Sequence, residues 1–114
     1  MKVRCECGEM ITDGTDGLPH KAHFIPDENW FGIFEAMDKV LVEVSEGRLA
    51  MNDAQMALRR LHLVASRKMW QCTRCGRLLV SDFRRHLNTY QPVSDTESKE
   101  ILKSDESAVA SACG

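Results

Sequence analysis

The spacing of apolar residues predicts a long helix in the first half of the chain. Its apolar positions recur at intervals of four, three, four and three residues: Trp30, Phe34, Met37, Leu41 and Val44. This spacing places all five side chains on one face of a helix. Asp27 is a suitable N-cap residue and Gly47 a suitable C-terminal stop. We expect the stripe to be the buried face, so that the helix packs well into the core.

A second helix is predicted directly after the first. Asn52 or Asp53 can cap it. Its apolar positions again fall on one face: Ala54, Leu58, Leu61 and Ala65. Because only a few residues separate the two helices, an antiparallel helical hairpin is expected.

Short apolar runs bounded by turn residues predict strands on both sides of this hairpin. They cover residues 2–4, 10–12 and 21–25 before it, and 69–71, 78–80 and 85–91 after it. A glycine-rich segment with Asp13 and Asp16 is too short for a calcium loop, and we expect a solvated turn. The predicted fold class is α+β: short antiparallel strands over residues 1–93, with a helical insertion at about 27–67. Residues 94–114, rich in Ser, Asp and Glu, are expected to form a flexible tail.

Length and composition exclude several classes of protein. With 114 residues the chain fits one domain, so we expect a single domain and not a large multidomain enzyme. No apolar run approaches the roughly 20 residues of a membrane span. The first residues lack the apolar stretch of a secretory signal, so a cytoplasmic location is expected.

The formal net charge of −2 conceals three blocks of alternating sign. Residues 1–58 hold 11 acidic and 5 basic side chains, residues 59–86 hold 8 basic and one acidic, and residues 94–114 are again acidic. The basic side chains of the middle block are candidates for a docking patch for nucleic acid or an acidic protein: Arg59, Arg60, Arg67, Lys68, Arg74, Arg77, Arg84 and Arg85. The alternative is that those at 59, 60, 67 and 68 form the solvated face of a helix.

Two cysteine turns carry the most specific chemistry in the sequence. The pattern C-x-C-G begins at Cys5, and C-x-x-C-G begins at Cys72. Zinc is held by four soft or borderline ligands in a tetrahedron, and two facing turns supply four thiolates: Cys5, Cys7, Cys72 and Cys75. Three arginines are placed to offset the negative charge of such a site: Arg4, Arg74 and Arg77. Four protein ligands leave no open position for water, so the site is predicted to be structural and to clamp the N-terminus to the later strands.

Alternatives to this ligand set remain open. Because C-x-C is shorter than the usual pair, a histidine, His20 or His23, is the replacement to consider if only one of its cysteines binds the metal. A redox dithiol of Cys72 and Cys75 is a competing interpretation. Redox pairs usually begin a helix, whereas a strand is expected here. Cys113, next to the C-terminus, is expected to be a free thiol.

The two turns resemble the knuckles of zinc-ribbon proteins, and the wider pattern is similar to a group of short bacterial zinc-ribbon proteins. In that group an N-terminal C-x-C-G precedes a stretch like residues 18–24 and an aromatic pair like Trp30 and Phe31. A second knuckle like residues 69–72 follows. Proteins of this kind occur beside polymorphic or contact-dependent toxin genes, so the resemblance implies an immunity-type role. It covers most of residues 1–93, which we therefore expect to form a small zinc ribbon with the helical insertion at about 27–67.

These observations lead to two functional hypotheses. The first is a non-enzymatic protein-binding module, stabilised by one structural Zn²⁺, that neutralises a bacterial toxin as an immunity protein. It depends on the closed cysteine site, on the lack of a recognisable catalytic motif and on an acidic front half able to cover a basic protein. The alternative is a nucleic-acid-binding zinc ribbon that uses the basic segment 59–86.

Overall fold

A computed structural model describes residues 2–105 and 108–109. Six strands and two helices follow one another in the order β1 Lys2–Arg4, β2 Met10–Thr12, β3 Lys21–Phe24, α1 Asp27–Ser45, α2 Met51–Ala65, β4 Arg67–Gln71, β5 Leu78–Ser81 and β6 Leu87–Tyr90. The fold class is therefore α+β, as predicted, with two small sheets and a helical pair inserted between strands. Cys113 lies outside the described residues.

The chain divides into two compact units. The first combines residues 1–22 with residues 68–114, and we call it the metal-site unit because it contains the four predicted zinc ligands. The second comprises residues 23–67, and we call it the hairpin unit because it contains both helices. One sheet pairs β1 with β2 in antiparallel register, and the other has the strand order β3-β4-β5-β6. Neither helix is long and apolar enough to cross a membrane, as judged over the part of the chain that the structure describes.

The core of the metal-site unit is small and contains two of the cysteines. It is formed by Val3, Cys5, Ile11, Trp70, Cys72 and Leu79. The strand register explains this grouping, because Val3 is paired with Ile11 across one sheet and Trp70 with Leu79 across the other. Side chains directly opposite each other on antiparallel strands lie on the same face. Two of the four predicted ligands, Cys5 and Cys72, are thus part of the hydrophobic core.

The hairpin unit corrects the expectation that the apolar stripe of α1 is buried. The buried residue on α1 is Ile33, and on α2 it is Ala54. Trp30 and Phe34 remain 44% exposed and Leu41 57% exposed. One neighbouring helix can cover only one side of α1, whose apolar surface is wider than that side. The exposed members of the predicted stripe define what we call the α1 surface: Trp30, Phe34 and Leu41.

The helix ends agree with the sequence in part. Gly47 has a positive φ of 75°, and its N–H donates to the carbonyl of Val44, so it ends α1 as predicted. The predicted N-caps are wrong. Asp27 is the first residue of α1, which Pro26 precedes, and α2 begins at Met51, before both Asn52 and Asp53. Asp53 lies instead in the first turn, where a negative charge favours the helix dipole.

Asp13 also differs from expectation, because its side chain is largely buried instead of solvated. Its carboxylate accepts hydrogen bonds from Lys21 Nζ at 2.8 Å and from the indole N–H of Trp70 at 3.2 Å. The bond from Lys21 is the main cause of a lowered pKa of Asp13, which burial opposes. The carboxylate of Asp13 thus connects the turn after β2 to Trp70 in the core.

The start of the acidic tail is attached to the core through one side chain. Gln71, which is 2% exposed, donates from Nε2 to the carbonyls of Gly76 at 3.2 Å and Ser98 at 3.0 Å. Its Oε1 accepts the backbone N–H of Ile101 at 2.9 Å. Residues 94–105 contain turns and bends without a helix or strand. This part of the tail thus has no helix or strand, yet it is hydrogen-bonded to Gln71, the residue that precedes Cys72.

Candidate metal centre

The two cysteine turns have matching backbone hydrogen bonds although one is a residue shorter. In the first, the N–H of Gly8 donates to the carbonyl of Cys5 at 3.0 Å. In the second, the N–H of Gly76 donates to the carbonyl of Cys72 at 2.8 Å. Each glycine has a positive φ, 98° at Gly8 and 84° at Gly76, a conformation that glycine adopts without the cost other residues incur. The shorter C-x-C turn therefore directs both of its sulfurs to one side.

The four thiols meet in one cluster. The sulfur atoms of Cys5, Cys7, Cys72 and Cys75 all lie within 4.8 Å of one another. The shortest separations join one sulfur from each turn: 3.5 Å between Cys5 and Cys75, and 3.6 Å between Cys7 and Cys72. Four thiolates bound to zinc at about 2.3 Å would lie ~3.8 Å apart at the corners of a tetrahedron. The cluster can hold a metal ion of this size with little movement.

Burial and charge around the cluster also suit a structural metal. Cys5 and Cys72 are almost fully buried, and Cys7 and Cys75 are half-buried. Burial raises the pKa of Cys5 to about 12 and also raises the pKa of Cys72. Burial opposes ionisation at Cys75 as well, yet the N–H of Arg77 and bonds from the other thiols lower its pKa to about 6. A metal cation would replace the protons held by the buried thiols.

The alternative histidine ligands lie outside the cluster of four cysteines. His20 Nε2 is hydrogen-bonded to the carbonyl of Thr12 at 2.7 Å and does not belong to the cluster. His23 is exposed in the hairpin unit. After Cys75 the chain enters β5 at Leu78, so no helix begins at this pair. The local structure that usually activates a redox dithiol is therefore missing here.

The arginines predicted to offset the charge contribute unequally. Arg77 donates to the sulfur of Cys75 at 3.5 Å, so a guanidinium does approach the cluster. Arg74 is exposed, and its guanidinium lies 3.8 Å from the carboxylate of Glu9. Arg4 is exposed on β1. The direct electrostatic support of the cluster comes from Arg77.

The basic residues of segment 59–86 belong to different units. Arg59 and Arg60 are exposed on α2 in the hairpin unit. Arg67, in the same unit, is half-buried with its guanidinium 5.1 Å from the ring centre of Phe24, and its Nε is buried without a hydrogen-bond partner among the described residues. Lys68 is exposed in the metal-site unit, as are Arg84 and Arg85. A single patch of all eight basic residues stays a prediction.

Sequence reasoning passed over Asp82 and Phe83, which stand in the loop between β5 and β6. The Asp82 carboxylate accepts backbone N–H groups of that loop, and Phe83 is 74% exposed. The available signal was an aspartate at the start of a short connection, where its side chain commonly bonds the backbone that follows.

The two knuckle glycines provide a matched test of the cluster's surroundings. An added Cβ at Gly8 meets no atom within 4 Å, whereas at Gly76 it meets Pro92 Cγ at 3.0 Å and Lys99 Cγ at 3.3 Å. Gly8→Ala should therefore lower the free energy of unfolding by about 1 kcal/mol, the cost of a positive φ. Gly76→Ala should lower it by about 2 kcal/mol, because the tail must also move. Urea denaturation of both variants checks this, and equal losses would contradict the packing of the tail on the second knuckle.

Comparison with known proteins identifies the family of the chain but not its function. No curated protein and no solved structure matches the chain. A family model described as a domain of unknown function (DUF8617) matches residues 1–100, and the protein therefore belongs to this family.

Proposed function

We propose that this protein is a non-enzymatic protein-binding module, stabilised by one structural Zn²⁺, that binds and neutralises a basic toxin-like protein as an immunity protein does. The observation that carries the proposal is the α1 surface, which leaves Trp30, Phe34 and Leu41 partly exposed on an acidic helix. Monomeric soluble proteins rarely expose contiguous apolar patches beyond a few hundred Å².

Zinc is the metal that fits the cluster best. Thiolate ligands favour zinc or iron–sulfur centres, and the separations described above fit a single ion. The residues that would hold it are Cys5, Cys7, Cys72 and Cys75. With four protein ligands the ion would join the two knuckles and supply folding free energy, which supports a structural and not a catalytic role.

The α1 surface has the composition of a binding site for a basic protein. Trp30 and Phe34 form an edge-to-face pair with ring centres 5.2 Å apart, so two large aromatic side chains are already ordered. Asp38 follows Phe34 by one helical turn and precedes Leu41 by three residues, which places a carboxylate beside the apolar stripe. The helix as a whole carries five acidic residues and one lysine: Asp27, Glu28, Glu35, Asp38 and Glu43, with Lys39.

Aromatic anchors surrounded by charge favour a partner of opposite charge. Tryptophan and other large aromatic residues dominate the binding energy of interfaces, while charges around them increase association rate and restrict the choice of partner. A nuclease-type toxin, whose surface must be basic to hold nucleic acid, matches an acidic rim around an apolar centre. This agrees with the role implied by the resemblance to short bacterial zinc-ribbon proteins.

Binding to the product of a neighbouring gene tests this function. The full chain should form a stable complex with that product in calorimetry and suppress its activity. Trp30→Ala should raise the dissociation constant about 30-fold or more, the effect of an interface hot spot. Leu63→Ala, which alters an exposed apolar residue of α2, should change it by less than about 5-fold.

Three results would contradict the proposal. The first is the absence of any complex with neighbouring gene products. The second is a complex that Trp30→Ala leaves unchanged. The third is a homodimer in sedimentation that Trp30→Ala dissociates, because the α1 surface would then be an interface between two copies of this chain.

A further inference from the structure

A single carboxylate organises the loop between β5 and β6, which we call the tip loop (residues 82–86). Asp82 Oδ1 accepts the backbone N–H groups of Arg84 at 2.9 Å and His86 at 3.0 Å. Its Oδ2 accepts the side-chain amide of Asn88 at 3.1 Å. The backbone adds bonds between Asp82 and His86 and between Arg85 and Asp82, both at 2.9 Å. The loop is therefore held in one conformation before any partner binds.

This conformation includes a strained residue. Arg85 has a φ of 66°, and among the described residues it is the only non-glycine with a positive φ. Arginine adopts the left-handed region at a cost that glycine does not have. Strained residues persist where surrounding bonds enforce them, and they concentrate at functional sites. Here the bonds of Asp82 enforce the strain, and a large cationic side chain occupies the position.

The side chains that the tip loop presents are aromatic and basic. Phe83 is 74% exposed, and the guanidinium of Arg84 lies 5.2 Å from its ring centre. Arg84, Arg85 and His86 are all exposed. The acidic residue of the tip loop is Asp82. Both of its carboxylate oxygens accept hydrogen bonds, from backbone N–H groups of the loop and from the side chain of Asn88. An ordered loop thus carries two exposed guanidinium groups beside one exposed ring.

We propose that the tip loop binds single-stranded nucleic acid, with Phe83 stacking on a base and Arg84 and Arg85 contacting phosphates. Stacking on an aromatic side chain requires an unpaired base, which favours a single strand over a duplex. Arginine contributes both phosphate contacts and stacking. A purely acidic peptide would contact the guanidinium groups but would make no stacking contact with the exposed ring of Phe83. This inference goes beyond the proposed function, since it concerns the metal-site unit and not the α1 surface.

Fluorescence anisotropy with the zinc-loaded full chain tests the inference. The probes are labelled oligothymidylate and oligouridylate of about 12 nucleotides, at low and then rising salt. Phe83→Ala should weaken binding about 5-fold or more, the loss expected for one stacked base. The double substitution Arg84→Ala/Arg85→Ala should weaken it further and reduce the slope of log affinity against log salt by about 1.4, because two phosphate contacts are lost.

Matched controls come from the hairpin unit. Phe31 is 70% exposed on α1, close to the exposure of Phe83, so Phe31→Ala removes an equivalent ring from another place. Lys39→Ala/Arg48→Ala removes the same formal charge from exposed positions of the hairpin unit that lie outside the predicted basic patch. Both controls should stay within about 2-fold of the unchanged chain. Zinc content and circular dichroism should be equal in all variants, because every substituted residue is exposed.

Four outcomes would overturn the inference. They are the absence of oligonucleotide binding at low salt, equal losses in the tip-loop and control pairs, tighter binding of duplex than of single strands, and tighter binding of polyglutamate than of either oligonucleotide. The last result would identify the tip loop as a contact for an acidic protein. The failure of this test leaves the proposed toxin binding through α1 unaffected, since the two surfaces carry different substitutions.

Discussion

Replacing Cys72 with serine is expected to abolish binding of the proposed zinc ion and to unfold the metal-site unit. Cys72 is fully buried, and its sulfur lies 3.6 Å from that of Cys7. The substitution removes one of the four proposed thiolate ligands and leaves a buried hydroxyl group in its place. The hydrophobic core of this unit has only six buried members in the described part of the chain, too few to offset the loss of stability. Structural zinc contributes about 10–16 kcal/mol to folded zinc-finger peptides, which is comparable to the whole stability of a domain, about 5–15 kcal/mol. We therefore expect loss of the cooperative unfolding transition and not a modest shift of its midpoint.

The measurement combines metal analysis with thermal unfolding. The unchanged chain should hold about one zinc per molecule, in keeping with a four-thiolate site, and the Cys72→Ser variant close to none. Cys113→Ser is the matched control, because it makes the same chemical change at a cysteine that we predict to be a free thiol. It should retain both the zinc and the transition. If the two variants behave alike, the ligand assignment is wrong.

Replacing Gln71 with alanine is expected to cost about 3 kcal/mol of unfolding free energy. The side chain of Gln71 makes three hydrogen bonds to backbone groups, of Gly76, Ser98 and Ile101. Each typical hydrogen bond contributes about 1 kcal/mol, and a buried backbone group left without a partner costs more. Alanine removes all three hydrogen bonds at once and leaves the three backbone groups without this partner. The variant should keep its zinc, because no cysteine is altered.

Hydrogen exchange separates this effect from general loss of stability. The amide of Ile101 donates to Gln71, so its exchange should become fast in Gln71→Ala even where the strands remain protected. Gln55→Ala, which alters an exposed glutamine of α2, should change stability by less than about 0.5 kcal/mol. An Ile101 amide whose protection survives in Gln71→Ala would show that the tail is held by other contacts.

The elements that depend on local pattern could be predicted from the sequence. The strands beside each knuckle follow from short apolar runs between turn residues, and the helical pair follows from apolar spacing. The four cysteines were assigned together because zinc chemistry restricts both the ligand type and the number. A glycine directly after each cysteine pair is a local signal of the same kind, since both Gly8 and Gly76 have a positive φ.

Features that depend on tertiary contacts were missed. The apolar stripe of α1 indicates a helix, but its periodicity does not say whether another element covers Trp30. Gln71 bonds to backbone groups, which every residue of the tail carries, so no pattern in residues 94–105 marks Ser98 or Ile101 as its partners. Asp13 was interpreted as a solvated turn residue, since neither Lys21 nor the distant Trp70 is its neighbour in sequence.

The distribution of the four cysteines over two distant turns determines when the metal site can form during synthesis. Cys5 and Cys7 leave the ribosome long before Cys72 and Cys75, which follow more than 60 residues later. At about 5–20 residues per second, the first pair waits roughly 3–13 s for the second. During that interval the nascent chain carries half of a ligand set, open to oxidation or to a metal ion that it cannot enclose. Capture of the proposed zinc ion and completion of the core would then be a single late event.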